Sequence, residues 1–183
     1  IFLLNNFFVN RKILLNITGE AHQSLTSKKS IPLSGGIYLA LSFLIFFSQF
    51  SLLNKIIILS FYLVGFFSDL KYLKSPLLRL ILQIFITLIF ILNNDLILEN
   101  TRVIIIDNLL ENKIINYLFV IFCITIIING TNFTDGVNCN VIGYYLIITL
   151  ILFKLNLFDT NFFNLNYVIN WIIILFIVYI FNF

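Results

Sequence analysis

LFVIFCITIIINGTNFTDGVNCN, Leu118–Asn140, sets an apolar run against a patch of amides, hydroxyls and one acid. The change takes one residue, from Ile128 to Asn129. Long apolar runs ended by short polar breaks recur along the whole chain. Hydrophobic residues make up 61% of the 183 residues, charged residues 10%, and mean hydropathy is +1.07. Soluble domains are about a quarter charged. A soluble fold of this length has no interior large enough for 22 Phe and so much Ile and Leu. Open backbone groups find no partner in lipid, so the spanning segments must be helical. Barrel strands would alternate polar and apolar residues, and these runs do not. The fold class is therefore all-α: a polytopic transmembrane helical bundle with about 6–7 spans.

The apolar runs cover residues 1–9, 33–53, 55–68, 77–94, 114–129, 141–157 and 167–183. A crossing helix needs about 20 residues. The run 55–68 reaches that length only if Asn54–Lys55 is a tight turn at the interface. The chain starts at Ile1, contains no Met and ends inside WIIILFIVYIFNF. Both ends read as cut, so the expectation is one membrane domain over 1–183, belonging to a longer protein. No signal-peptide cleavage pattern is present.

Lysine and arginine set orientation. Taken alternately through the gaps, one side receives Arg11, Lys12, Lys28, Lys29, Lys71, Lys74 and Arg79. The other receives Lys55, Arg102, Lys113 and Lys154. The first side is read as cytoplasmic, with loops at about 10–32, 69–76 and 129–140. The opposite side holds 93–113, in which RVIII (102–106) fits either a short strand or an interfacial segment. A net charge of +3 is too small to argue for nucleic acid. Cys123 and Cys139 lack metal-ligand spacing, and Cys123 reads as a small packing residue.

Three polar stretches fall on the cytoplasmic side. TGEAHQSLTSKKSIPLSGG (18–36) carries His22, the pair Lys28–Lys29 and a Gly35–Gly36 pair at a helix start. Lysines there can meet phosphate, and a helix N-terminus favours an anion; the same stretch also reads as a positive-inside loop with a turn. GFFSDLKYLKSPLLR (65–79) puts Asp69 at a membrane edge, where an acid is costly and tends to be functional. The alternative is a solvated pair with Lys71 or Lys74. NGTNFTDGVNCN offers Asn129, Asn132, Thr134, Asp135, Asn138 and Asn140 around Gly136. One carboxylate among amides and hydroxyls suits a hard cation such as Mg2+. An Asn-rich turn in an Asn-rich chain is the plainer reading.

In order and spacing, these three stretches resemble the motifs of the polyprenyl-phosphate N-acetylhexosamine-1-phosphate transferases. HQSLTSKKSIPLSGG is similar to the basic first loop before Pro-x-x-Gly-Gly. GFFSDLKYLKSPLLRLILQ is similar to Gly-x-x-Asp-Asp followed by an Arg and a Gln, and NGTNFTDGVNCN to Asn-x-x-Asn-x-x-Asp-Gly. The resemblance implies a Mg2+-dependent enzyme of the bacterial inner membrane with its active site facing the cytoplasm. It would move a sugar-1-phosphate from a UDP-sugar to undecaprenyl phosphate, releasing UMP and starting a cell-envelope glycan. Asp135 matches the metal-binding Asp, and Asp69, the second Asp of the pair, is the other catalytic candidate. Asn129, Asn132, Asn138, His22 and Lys28 or Lys29 match substrate-binding positions. Ser68 replaces the first Asp, Asn138 a second loop Asp, and Cys139–Asn140 the usual Gly-Leu. Expected partners are the UDP-sugar, the polyprenyl phosphate and the lipid bilayer, with a second copy of the chain as a candidate partner and no nucleic acid. The alternatives are a polytopic transporter or binding protein, or an inactive relative. Against a carrier, no acid or base lies mid-span.

Overall fold

Ser75 and Pro76 show how a greasy segment acquires a defined helix start. The Ser75 hydroxyl accepts from the backbone N–H of Leu78 at 3.4 Å, and proline occupies the first turn. Proline has no N–H to leave unpaired there, and its φ suits the helix. The computed structural model describes residues 2–11, 15–16, 31–32, 34–48, 50–70, 72–134, 140–155 and 165–182. Its helices are α1 (Phe2–Arg11), α2 (Ser34–Phe46), α3 (Leu52–Asp69), α4 (Pro76–Asn94), α5 (Ile104–Leu110), α6 (Lys113–Thr134), α7 (Asn140–Lys154) and α8 (Leu165–Asn182). A two-residue antiparallel ladder joins β1 (Leu15–Asn16) to β2 (Ile31–Pro32). The protein is an all-α membrane protein. Among the described residues, three helices are long and apolar enough to cross a bilayer, Leu52–Asp69, Pro76–Asn94 and Lys113–Thr131, and three shorter apolar helices accompany them.

The chain forms two compact units, one of residues 1–50 and 132–183, the other of 51–131. In the first, α2 and α8 meet through aromatic rings. Phe47 stacks with Phe43 at 5.2 Å between centroids and meets Trp171 edge-on at 5.6 Å. The hydroxyls of Ser48 and Tyr167 are hydrogen-bonded at 3.2 Å. Helices α7 and α8 approach closely at Gly143, where a Cβ would lie 3.2 Å from the Tyr179 ring. Gly35 and Gly36 open α2 as expected, and no described glycine has a positive φ.

The second unit is built on an α3–α4 hairpin. Ile57, Val64 and Ile86 form its buried centre, flanked by Phe61, Leu82 and Phe90. Ile91, fully buried, joins Val120 and Ile121 where α4 meets α6. Lipid tails are as apolar as these side chains, so polar contacts do much to decide which helices pair. At one end, Asn54 Nδ2 donates to Asn94 Oδ1 at 2.8 Å, and Asn54 Oδ1 accepts from Asn93 and Asn94. Lys113 pairs with Asp95 at 2.9 Å. Tyr117 also donates to Asp95, and these hydrogen bonds hold the Asp95 carboxyl below the usual carboxylate range. Asp95 adopts the left-handed conformation that closes α4, which Asp tolerates better than most residues.

Two boundaries differ from expectation. Asn54 and Lys55 do not turn; they sit in the first turn of α3. The break falls earlier, because the Ser51 hydroxyl accepts from the Asn54 backbone N–H and caps the helix. Ile104–Leu110 is a helix, so the strand reading of RVIII fails. Arg102 has a φ of 64°, and Val103 is the N-cap.

Asn116 anchors the connection between α4 and α6. Only 4% exposed, it accepts from Leu98 N–H at 2.8 Å and donates to the carbonyls of Leu98 and Leu110 at 2.9 and 3.0 Å. Asn116→Leu strands three backbone groups. It is expected to cost on the order of 3 kcal/mol, read as lowered thermal stability in detergent and faster hydrogen exchange at the Leu98 amide.

Candidate active site

The site builds from the end of the second unit opposite Asn54. The contacts of Asn54 with Asn94 and of Arg79 with Ser68 make α3 and α4 antiparallel. Those of Lys113 with Asp95 and of Asn129 with Gln83 make α4 and α6 antiparallel. The C-terminal turn of α3, the N-terminal turns of α4 and the turn of α6 around Asn129 therefore share one end. Lys74 and Arg79 lie there, while Lys55, Arg102 and Lys113 lie at the other end, matching the charge split read from the sequence.

At this end Arg79 donates from Nη1 to Ser68 Oγ at 3.3 Å. Asp69, the last residue of α3, is exposed and, among the described residues, makes no ion pair with Lys74. One helical turn beyond Arg79, Gln83 is 7% exposed and accepts at Oε1 from Asn129 Nδ2 at 2.9 Å. Asn129 Nδ2 also donates to the Thr125 carbonyl at 2.9 Å. A backbone carbonyl only accepts, so the nitrogen of Asn129 must face it, and both of its protons are committed. Asn129 Oδ1 is thereby left as an acceptor and Gln83 Nε2 as a donor, neither bonded among the described residues. A turn deeper, fully buried Thr87 returns its hydroxyl to the Gln83 carbonyl at 2.7 Å. The buried Thr125 hydroxyl has no partner among the described residues.

Helix α6 runs through Thr134, so the first half of NGTNFTDGVNCN is helical rather than loop. Asn129 folds back on the Thr125 carbonyl and Thr131 Oγ1 on the Ile128 carbonyl at 2.9 Å, so polar side chains are satisfied without leaving the helix. Asn132 lies three residues after Asn129 on the same helix; its side chain, and Asp135 and Asn138 entirely, lie outside the described residues. So do His22, Lys28 and Lys29. Of the expected site residues, the second unit therefore brings Asp69 and Asn129 to one end.

Arg79 and Gln83 are the Arg and Gln of the second motif, to which the sequence assigned no site role, and Thr87 and Thr125 carried no motif. Their signal was spacing: Arg79, Gln83 and Thr87 recur every fourth position in an otherwise apolar helix, which puts them on one face. Thr125 and Asn129 repeat that spacing on α6.

Among the described residues no cluster of three or more His, Cys, Asp or Glu could hold a metal. The Asp69 carboxylate and the Asn129 carbonyl at this end are oxygens, the donor type that Mg2+ takes beside water and substrate phosphates.

An arginine, an acid and a hydrogen-bonded amide pair thus gather at one end of the helices of this unit. A family model, glycosyl transferase family 4, matches residues 49–183, and the chain belongs to that family. The coarse activity that follows is sugar-phosphate transfer to a polyprenyl phosphate in a membrane. The match takes in both Ser68–Asp69 and Asn129–Asp135; His22, Lys28 and Lys29 precede it. No curated protein and no solved structure matches the chain.

Proposed function

We propose that the protein transfers a sugar-1-phosphate, an N-acetylhexosamine-1-phosphate, from a UDP-sugar to undecaprenyl phosphate. The reaction would open synthesis of a cell-envelope glycan at the cytoplasmic face of a bacterial inner membrane. One observation carries the reading: within a chain of this family, Ser68–Asp69, Arg79, Gln83 and Asn129 share one end of three antiparallel helices. A lipid phosphate approaching along the bilayer and a nucleotide-sugar approaching from water would meet at such an end.

In the reaction, an oxygen of the lipid phosphate bonds to the phosphorus that carries the sugar. The bond from that phosphorus to the bridging oxygen breaks, and UMP leaves. A phosphate monoester has a second pKa of about 6 and is largely dianionic at neutral pH. The attacking oxygen therefore needs no strong base, and Ser68 in place of an acid does not stop the chemistry. Catalysis of this class is chiefly positioning and charge neutralisation. Asp135 would hold Mg2+, which when bound would supply positive charge to the pyrophosphate, and Asp69 is the second carboxylate candidate. Arg79 would meet phosphate charge, and the Asn129 carbonyl would accept from the nucleotide-sugar. His22, Lys28 and Lys29 would add positive charge on the first loop.

The test is UMP release from UDP-N-acetylhexosamines with undecaprenyl phosphate, with and without magnesium, using the full-length protein. No release from any of these donors would sink the proposal. Asp69→Asn is expected to lower turnover by at least about tenfold, near 1.4 kcal/mol. An unchanged rate would make Asp69 a solvated anchor.

A further inference from the structure

The connection between α4 and α6 carries an apolar face that stands exposed among the described residues. On α5, Ile104 is 78% exposed, Ile105 76% and Leu109 54%. Helical spacing puts these three on one side with Asn108, and Ile106, Asp107 and Leu110 on the other. The inner side is tied down. Leu110 is buried, and Asp107 Oδ1 accepts from the Thr101 backbone N–H and hydroxyl at 2.7 and 2.6 Å. The hydrogen bonds from Thr101 hold the Asp107 carboxyl below its ordinary range. The outward side is thus apolar by construction, its acid turned away.

We infer that this face of α5 is seated in the bilayer, as an amphipathic helix lying at the lipid interface between two spans. Three observations fix the occupant as lipid. First, Glu111–Asn112 alone separate α5 from α6, whose first turns expose Ile114 (71%) and Leu118 (61%), while the last turn of α4 exposes Leu92 (56%). Along the chain, the apolar residues of α5 thus stand between apolar residues exposed by two candidate spans. Second, seven residues make a helix about 10 Å long, far short of the ~30 Å hydrocarbon core, so α5 lies at the surface and does not cross. Third, part of the backbone at its two ends is satisfied within the protein. The N–H groups of Ile106 and Asp107 donate to the Val103 carbonyl at 2.9 Å, and Asn116 donates to the Leu110 carbonyl. Insertion therefore strands no polar backbone group at those positions. Residues 95–113 hold Asp95, Glu99, Asp107 and Glu111 against Arg102 and Lys113. Acids outnumber bases, so the seat is apolar and does not depend on anionic headgroups.

The test places an environment-sensitive fluorophore on Ile105→Cys, and separately on Leu109→Cys, in the full chain with Cys123→Ala and Cys139→Ser. Glu99→Cys serves as the aqueous reference, and each protein is reconstituted in phosphatidylcholine nanodiscs. The labels at 105 and 109 are expected to emit to the blue of the label at 99. Brominated phosphatidylcholine should quench them, and aqueous iodide should spare them. Iodide quenching equal to that at position 99 overturns the inference by showing a water-facing helix. Resistance to both quenchers overturns it by showing a protein cover, such as a second copy. A requirement for phosphatidylglycerol overturns the apolar seat in favour of headgroup attraction.

Discussion

Replacing Asp135 by asparagine is expected to abolish magnesium-dependent UMP release. The substitution keeps size and one carbonyl oxygen and removes only the charge. A hard divalent cation bound to a pyrophosphate needs at least one anionic protein ligand to stay placed during transfer. Asp135 is the sole acid between Asn129 and Asn140, so no neighbour in that stretch can replace it. Losing one preorganised source of charge stabilisation typically costs about 10²–10³ in turnover. Loss of the metal's own placement should exceed that, reaching about 10³-fold or more, on the order of 4 kcal/mol. The comparison is turnover across a magnesium titration, with thermal stability of the purified variant as a check on folding. A well-folded variant turning over at the wild-type rate would remove Asp135 from the metal site. Partial recovery at high magnesium would keep it there and assign the loss to affinity.

The membrane class and most helix positions were legible because hydropathy averages over many residues. Residues 77–94 were read as a span, and α4 covers Pro76–Asn94. Boundaries were less legible, because they depend on single hydrogen bonds. Ser51, one hydroxyl, moves the start of α3 ahead of the polar pair Asn54–Lys55, and Asn54 spends its amide on α4 instead. NGTNFT looked like loop because its residues are polar. Asn129 and Thr131 bond to carbonyls of their own helix, which local composition does not reveal. Asp69 and Asn129 were identified as isolated members of motifs. That Gln83 would be Asn129's partner needed the antiparallel register of α4 and α6, a tertiary fact. The Arg79–Gln83–Thr87 spacing was visible, but four-residue spacing alone does not say which helix the face meets.

That partnership separates structure from function sharply. Asn129→Leu removes the donor to Gln83 Oε1 and leaves a side chain only 7% exposed without its partner. The cost expected is about 1–3 kcal/mol, because the desolvated amide loses its bond and gains no water. Gln83→Leu is milder, since half-buried Asn129 retains the Thr125 carbonyl. The double variant Gln83→Leu/Asn129→Leu should regain most of the lost stability, because two apolar side chains facing each other leave nothing unpaired and suit a lipid-embedded helix pair. Turnover should not follow. Both variants lacking Asn129 lose its acceptor oxygen, and both should fall by at least about tenfold in kcat/KM for the nucleotide-sugar. Melting temperature in detergent and UMP release, measured on the same three preparations, decide the matter. A stable double variant with normal turnover would reduce the amide pair to helix glue. A double variant no more stable than Asn129→Leu alone would show that the two amides are not energetically coupled.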